Sequence, residues 1–346
     1  MNSKILISTG GSGGHVVPAI TMHDHLKNHY DVSISSDIRG LRYLDNENYK
    51  IFVVDTPKLN KLILLPISIL KVVFLTLKSL FLLKNEKIQI LISTGGYMSL
   101  PLCIAARMLS IKIFLLEPNM VIGRANKFFI KFSEKIICYS ENIIGFPKKF
   151  RSKIKILNPL IRKKYYVDKL KEYKNEKFTL IIIGGSQGAQ IFDKILHESI
   201  IKISKTKSLK IFHQTNQKNI NTLINLYSEN KIDNIVFDFD QNLNLLLDQV
   251  DLCITRAGAS TLAEISLLNK PFIAIPLPSS KDNHQLENAN YYKHKDCCWV
   301  VDQINFDKKK FEDLLINILS DKDEILKKKN NLEKLNYQNT WNNVNK

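Results

Sequence analysis

Two glycine-rich turns, each set directly behind a run of strand-forming residues, restrict this chain to few architectures. The first, Gly10-Gly11-Ser12-Gly13-Gly14-His15, follows Lys4–Thr9, and the second, Gly184-Gly185-Ser186-Gln187-Gly188-Ala189, follows Phe178–Ile183. A buried parallel strand that ends in a glycine turn and opens a helix makes a cradle for phosphate. Glycine lets the backbone come close, unpaired N–H groups point outward, and the helix dipole favours negative charge. Two such turns, one opening each half, predict a pair of nucleotide-type folds facing each other across a cleft.

The rest of the chain keeps the same rhythm. Strands are expected at 4–8, 32–35, 51–54, 88–93, 112–117, 135–139 and 154–157, then again at 180–183, 210–214, 235–237, 252–255, 272–275 and 299–300. Helical stretches at 17–28, 100–109 and 124–131 separate strands of the first half, an alternation that means parallel sheets. A length of 346 residues suits two domains of ordinary size. The rhythm stops at Asn158-Pro159 and a lysine-rich link, 162–177, follows. The expected organisation is therefore α/β, with Rossmann-like domains at 1–158 and 159–330. A C-terminal helix at 331–346 is expected to return to the first domain.

The net charge of +17 invites a nucleic-acid reading, yet only seven of the 50 basic residues are arginine. Base recognition favours bidentate arginine, so a compositional bias toward lysine fits better and no nucleic-acid partner is expected. A basic body still favours an anionic membrane surface. The five cysteines show no metal-ligand spacing and read as reduced packing residues. No cleavable signal peptide is expected, since strand residues and the first turn begin at once.

One segment breaks the pattern. Residues 59–83 are almost continuously apolar, but Lys61, Lys71, Lys78 and Lys84 punctuate the region and Pro66 stands near its start. It can be a core helix with a lysine face, or an interfacial helix whose leucines and phenylalanines enter lipid while lysines meet headgroups. A true span needs about 20 apolar residues without charge, and no uninterrupted run here approaches that.

Several groups could carry chemistry. His15 sits at the mouth of the helix opened by the first turn, where an imidazole could accept a proton from an attacking hydroxyl, or simply bind an anion. Thr94-Gly95-Gly96-Tyr97 and Glu117-Pro118-Asn119 each follow a buried strand, the usual ligand position in such folds, although Glu-Pro-Asn also suits a plain turn. In the second half, Arg256-Ala-Gly258-Ala259-Ser260-Thr261-Leu262-Ala263-Glu264 reads as a turn into a helix. Glu264 could accept both hydroxyls of a ribose, or could close a capping box with Thr261. Gln285 and Asn288 bring amides suited to sugar hydroxyls. Asp238 and Asp240 could share one face of a strand and hold a cation, a pattern that also arises by chance.

Together these segments resemble the MurG family of N-acetylglucosaminyltransferases, and the likeness runs over nearly the whole chain. It rests on Gly10–His15, Gly95-Gly96-Tyr97, Glu117-Pro-Asn119, Gly184–Ala189, Arg256-Ala-Gly258 with Glu264, and Asp282 with Gln285 and Asn288. The resemblance implies a two-Rossmann GT-B glycosyltransferase. It would transfer N-acetylglucosamine from UDP-N-acetylglucosamine to undecaprenyl-diphospho-muramyl-pentapeptide, with inversion and with neither metal nor cofactor. It places Ser12, Gly13 and Gly14 at the acceptor diphosphate, with His15 as base or Glu117 in its stead. Ser186 and Gln187 fall to the donor phosphates, the Ala259–Glu264 helix start to the diphosphate and ribose, the loop ending at Asp240 to uracil, and Gln285 and Asn288 to the sugar. Asn119 and Arg162 would reach the donor as well. It also implies peripheral attachment to the cytoplasmic side of the inner membrane, and cell-wall and division proteins as further partners.

The chain departs from that family where Leu116 replaces a usual histidine, Arg162 stands one place late, and Ser12 replaces a common threonine. Other readings stay open: a transferase acting on another lipid such as diacylglycerol, a non-catalytic lipid- or nucleotide-binding protein, and a nicotinamide-dependent dehydrogenase. The last lacks the spaced Gly-x-Gly-x-x-Gly with an acidic residue about 20 positions on.

Overall fold

A computed structural model describes residues 3–44, 48–57, 65–166, 176–185, 190–240 and 242–344. The chain divides into two units, Met1–Arg162 with Asn342–Lys346, and Lys163–Trp341.

The first unit is built on seven parallel strands: β1 Lys4–Ser8, β2 Asp31–Ser36, β3 Ile51–Val53, β4 Ile90–Ser93, β5 Lys112–Glu117, β6 Lys135–Cys138 and β7 Ile154–Ile156. They lie in the order β3-β2-β1-β4-β5-β6-β7. The helices are α1 Gly13–Leu26, α2 Ile38–Leu41, α3 Leu65–Asn85, α4 Leu100–Met108 and α5 Arg124–Phe129. The central strands read as apolar runs because helices cover both faces of a parallel sheet. Leu6, Ile7, Leu91 and Leu115 are all fully buried or nearly so. Each such side chain contributes about 1.5–3 kcal/mol. Val344, in the C-terminal segment, packs against the core of this unit beside Ile5, Ile7 and Leu116.

The second unit repeats the plan with six parallel strands: β8 Phe178–Ile183, β9 Leu209–Gln214, β10 Asp233–Phe237, β11 Leu252–Thr255, β12 Phe272–Ala274 and β13 Cys298–Val300. Their order is β10-β9-β8-β11-β12-β13. Helices α6 Gln190–Ile195, α7 His197–Ser204, α8 Ile220–Glu229, α9 Leu243–Asp248, α10 Ala259–Leu267, α11 His284–His294, α12 Lys308–Ser320 and α13 Lys322–Asn336 surround it, and α14 Trp341–Val344 closes the chain. In both sheets the chain runs outward from its first strand, then returns to add the fourth on the other side. The reversal lies between β1 and β4 in one unit and between β8 and β11 in the other. In open α/β sheets the crevice at this reversal, beyond the strand C-termini, receives the ligand.

The apolar segment forms α3, with Pro66 in its first turn, where a missing N–H costs nothing. Residues 59–64 lie outside the described residues. The core-helix expectation does not hold for most of its surface. Leu70, Phe74 and Phe81 are 70%, 55% and 68% exposed, whereas Leu83 and Ser79 are buried. Leu75, Leu80 and Leu82 pack inward on the core that also contains α4. By length and composition Pro66–Asn85 is apolar enough to cross a membrane, but its inner stripe belongs to the domain core.

Candidate active site

At the reversal in the first unit the two strand ends are tied together. The Thr94 N–H donates to the Ser8 carbonyl at 3.0 Å, and its hydroxyl donates to that of Thr9 at 3.0 Å. The first glycine turn therefore lies directly beside Thr94-Gly95-Gly96. Ser12 is the N-cap of α1, with φ −123° and ψ 162°, and its side chain makes no capping bond. Its carbonyl accepts from the N–H groups of His15 and Val16 at 3.0 and 3.2 Å. The N–H groups at the start of α1, including those of Gly13 and Gly14, belong to the set a helix cannot satisfy internally.

His15 reaches across to the neighbouring turn. Its Nδ1 lies 2.7 Å from the Thr94 carbonyl, which can only accept, so Nδ1 carries a proton in this arrangement. In the neutral ring Nε2 is then the basic atom. It lies 3.5 Å from where a Cβ would stand on Gly96, so it points at the second turn of this unit.

Glu117 ends β5 and is 2% exposed. Its Oε2 accepts from the Gly123 N–H at 2.7 Å and from Asn126 Nδ2 at 2.9 Å. Its Oε1 accepts from Asn119 N and Nδ2 at 3.2 and 3.1 Å. Burial pushes the carboxyl above its usual range, against the opposing pull of these donors. Asn126 in turn donates to the Leu116 carbonyl at 3.0 Å.

Beyond these, α2 brings residues to the first turn that its sequence did not mark. Asp37 caps α2, is fully buried, and accepts from Gly11 N at 2.7 Å and Gly40 N at 3.0 Å. Gly10 has φ +144°, and a Cβ there would lie 2.6 Å from Asp37 Oδ1, so only glycine fits. Arg39 pairs with Asp37 and lies over the Tyr97 ring, 5.2 Å from its centroid. Tyr43 flanks Gly13.

The second unit presents the matching arrangement. The Arg256 N–H donates to the Ile183 carbonyl at 3.2 Å, setting the turn after β11 beside Gly184-Gly185. Ser186 and Gln187 lie outside the described residues. Gly258, extended at φ −70° and ψ 134°, is the N-cap of α10, and no side chain caps it. Leu262 N donates to the Gly258 carbonyl at 3.0 Å. This leaves the N–H groups of Ala259, Ser260 and Thr261 as the helix-start donors. The Ser260 hydroxyl oxygen is buried with no hydrogen-bond partner among the described residues. Leu262 and Ala263 are buried in the core, so only their backbone could meet a ligand. Glu264 is 6% exposed, within α10.

Three side chains brace this turn. Gln285 Oε1 accepts from Ala257 N at 3.2 Å and Leu277 N at 3.0 Å, while Asn288 Nδ2 donates to the Ala257 carbonyl at 3.1 Å. Arg256 donates to the carbonyls of Ile275 and Pro276 and stacks on Phe192. Burial pushes its guanidinium down to about 10. The loop after β10 is held by Gln214 Nε2 donating to the Asp238 carbonyl at 3.0 Å, and Asp240 Oδ1 accepts from Asn242 N at 2.7 Å.

Family descriptions match both halves: the N-terminal domain of glycosyltransferase family 28 over residues 5–138, and the C-terminal domain of that family over 179–340. A relative from Pelagibacter ubique is 47% identical over 346 residues, covering 100% of this chain and 97% of its own. It is named UDP-N-acetylglucosamine--N-acetylmuramyl-(pentapeptide) pyrophosphoryl-undecaprenol N-acetylglucosamine transferase. The chain belongs to glycosyltransferase family 28. A relative with the same name from Wolbachia sp. subsp. Brugia malayi is 34% identical, covering 97% of this chain and 95% of its own. Among solved structures, Acinetobacter baumannii MurG superposes with a TM-score of 0.77 over 96% of this chain and 95% of that one, at 23% identity. That likeness supports the two-Rossmann GT-B fold.

Within this family 28 chain several expected site residues also make contacts within their own unit. Glu117 accepts N–H groups on both its oxygens and is 2% exposed. It holds the loop that carries Asn119. Asn288 is 2% exposed and braces the Ala257 carbonyl. Gln285 spends its carbonyl oxygen on two backbone N–H groups, so it could meet a sugar only through its NH2. The capping box fails because Gly258 caps α10 and Thr261 lies inside it. Leu116, where a histidine is usual, is fully buried and packs in the core. Arg162 closes the first unit.

Proposed function

We propose that this chain transfers N-acetylglucosamine from UDP-N-acetylglucosamine to the muramyl 4-hydroxyl of undecaprenyl-diphospho-muramyl-pentapeptide. The observation that carries this reading is the full-length 47% identity to a relative named for that reaction. The site residues fit it. The N–H groups at the start of α10, with the nearby Ser260 hydroxyl, suit the donor diphosphate, and Glu264 on the same helix suits the ribose. Ser186 and Gln187 complete the donor phosphate site in this proposal, and the backbone of the loop through Asp240 receives uracil.

In the first unit, Ser12, Gly13 and Gly14 receive the acceptor diphosphate. His15 accepts the proton from the attacking hydroxyl through Nε2, with Nδ1–H anchored on Thr94. The hydroxyl oxygen then bonds to the anomeric carbon as the bond to UDP breaks, with inversion. Negative charge gathering on the departing UDP is stabilised by the α10 amides, worth several kcal/mol in oriented sites.

The exposed face of α3 docks the protein peripherally on an anionic membrane. Leu70, Phe74 and Phe81 enter the lipid, and Lys78, stacked on Phe74, meets headgroups. The cytoplasmic face of the inner membrane, where the acceptor is displayed, is the proposed location, with cell-wall and division proteins as neighbours. The deciding experiment offers labelled UDP-N-acetylglucosamine to a panel of acceptors. Label should pass to the polyprenyl-diphosphate muramyl-pentapeptide and not to diacylglycerol; the reverse preference removes this reading.

A further inference from the structure

We infer that Arg39 is a positioning residue that opens the first glycine turn to a diphosphate-linked acceptor by cancelling the charge of Asp37. The inference rests on the acceptor reading given above. Asp37 is fully buried, and its Oδ1 is fixed by the N–H groups of Gly11 and Gly40. Gly10 packs directly on the same oxygen. A carboxylate is thus built into the root of the turn, in the place where an acceptor diphosphate is to approach. Left alone it would oppose that ligand, because like charges brought together away from bulk water repel strongly.

Arg39 answers this in its geometry. Its Nε donates to Asp37 Oδ2 at 3.0 Å, and Nη2 donates to the same oxygen. The guanidinium lies over the Tyr97 ring, and Nη2 stands 3.6 Å from the position a Cβ would take on Gly11. Its side chain remains 39% exposed, whereas the carboxylate it neutralises is fully buried. Asp37 shapes the turn by holding the Gly11 amide; Arg39 removes the electrostatic penalty of doing so. Neither carries chemistry, and both act on how well the turn accepts an anion.

The test compares Arg39→Ala, Asp37→Asn and the double variant in steady-state transfer, varying donor and acceptor separately, with a thermal midpoint for each. Arg39→Ala should raise the acceptor KM by on the order of tenfold or more, leaving the donor KM and kcat near wild type. Adding Asp37→Asn keeps the side-chain oxygen for the Gly11 amide but removes the charge, and should restore most of the lost acceptor affinity. A fall in thermal midpoint for Arg39→Ala that Asp37→Asn does not reverse, with acceptor KM still raised, would overturn the inference, as would an unchanged acceptor KM. Wild-type protein that transfers to no diphosphate-linked acceptor would overturn the acceptor reading and this inference with it. Intact transfer with Arg39→Ala unaffected overturns this inference alone.

Discussion

Replacing Glu117 by alanine tests whether this carboxylate organises the first unit or works as a base. The substitution removes the acceptor for Asn126 Nδ2, which is buried, and for Gly123 N and the two Asn119 donors, which are only partly buried. A buried donor left without a partner costs about 1–3 kcal/mol, so the loss at Asn126, with a smaller one at the partly buried Gly123, costs roughly 2–4 kcal/mol. The Asn119 donors can turn to water and add little. For a domain of this size each kcal/mol lowers Tm by about 2–4 °C, so the midpoint should fall by roughly 4–16 °C. Glu117→Gln keeps one oxygen and the shape, and should lose about half as much. Thermal unfolding followed by circular dichroism reads the shift, and hydrogen exchange at the Gly123 amide reads its cause. A Glu117→Ala variant that melts like wild type but has lost turnover would show that the carboxylate acts in the reaction after all.

Other consequences can be checked alongside. His15→Ala should lower kcat by on the order of a hundredfold, and a near-normal kcat would remove it as the base. Glu264→Ala should raise the KM for UDP-N-acetylglucosamine about tenfold with the acceptor KM unchanged; an unchanged donor KM would take Glu264 off the ribose. Changing Leu70, Phe74 and Phe81 to serine should abolish co-sedimentation with anionic liposomes while leaving the fold intact, and unaltered binding would place the docking face elsewhere. A pH effect is expected in the second unit. Burial pushes His213 below its usual 6.5, although Asp193 pulls it partly back. The unfolded chain therefore binds the extra proton first, and this contribution to stability, present above 6.5, is lost as pH falls toward the lowered value. Burial would raise Asp193, but the His213 ring 3.3 Å away and hydrogen bonds from Thr215 and Asn219 outweigh it and hold the carboxyl below 3.8, so its contribution disappears only in stronger acid. Thermal midpoints across this range should flatten in His213→Gln; an identical pH slope in both proteins would contradict the assignment.

Much of this was legible in the sequence because it was written as periodicity. Ile and Leu runs ending in glycine turns marked β1 and β8, and each of the thirteen strands among the described residues overlaps an expected strand. What stayed hidden depended on contacts distant in sequence. α2 is four residues long, too short for a helical period, so nothing in the sequence singled out Asp37 or Arg39. The Asp37-x-x-Gly40 spacing was the only local hint of the cap. Asn126, nine positions after Glu117, could not be paired with it until the 118–123 loop was known to fold back. Asp193, His213 and Tyr227 come from three elements, with the Tyr227 hydroxyl 2.8 Å from His213 Nδ1, and no linear spacing announces such a cluster. For α3 the composition was clear but the outcome was not, because hydropathy alone does not tell which face a neighbour covers.

Release of UDP from UDP-N-acetylglucosamine, measured with and without undecaprenyl-diphospho-muramyl-pentapeptide, tests the proposed reaction most directly. UDP should appear only when that acceptor is present, in step with a lipid product carrying one added N-acetylglucosamine. Release of equal size without it, or none with it, would contradict the assignment.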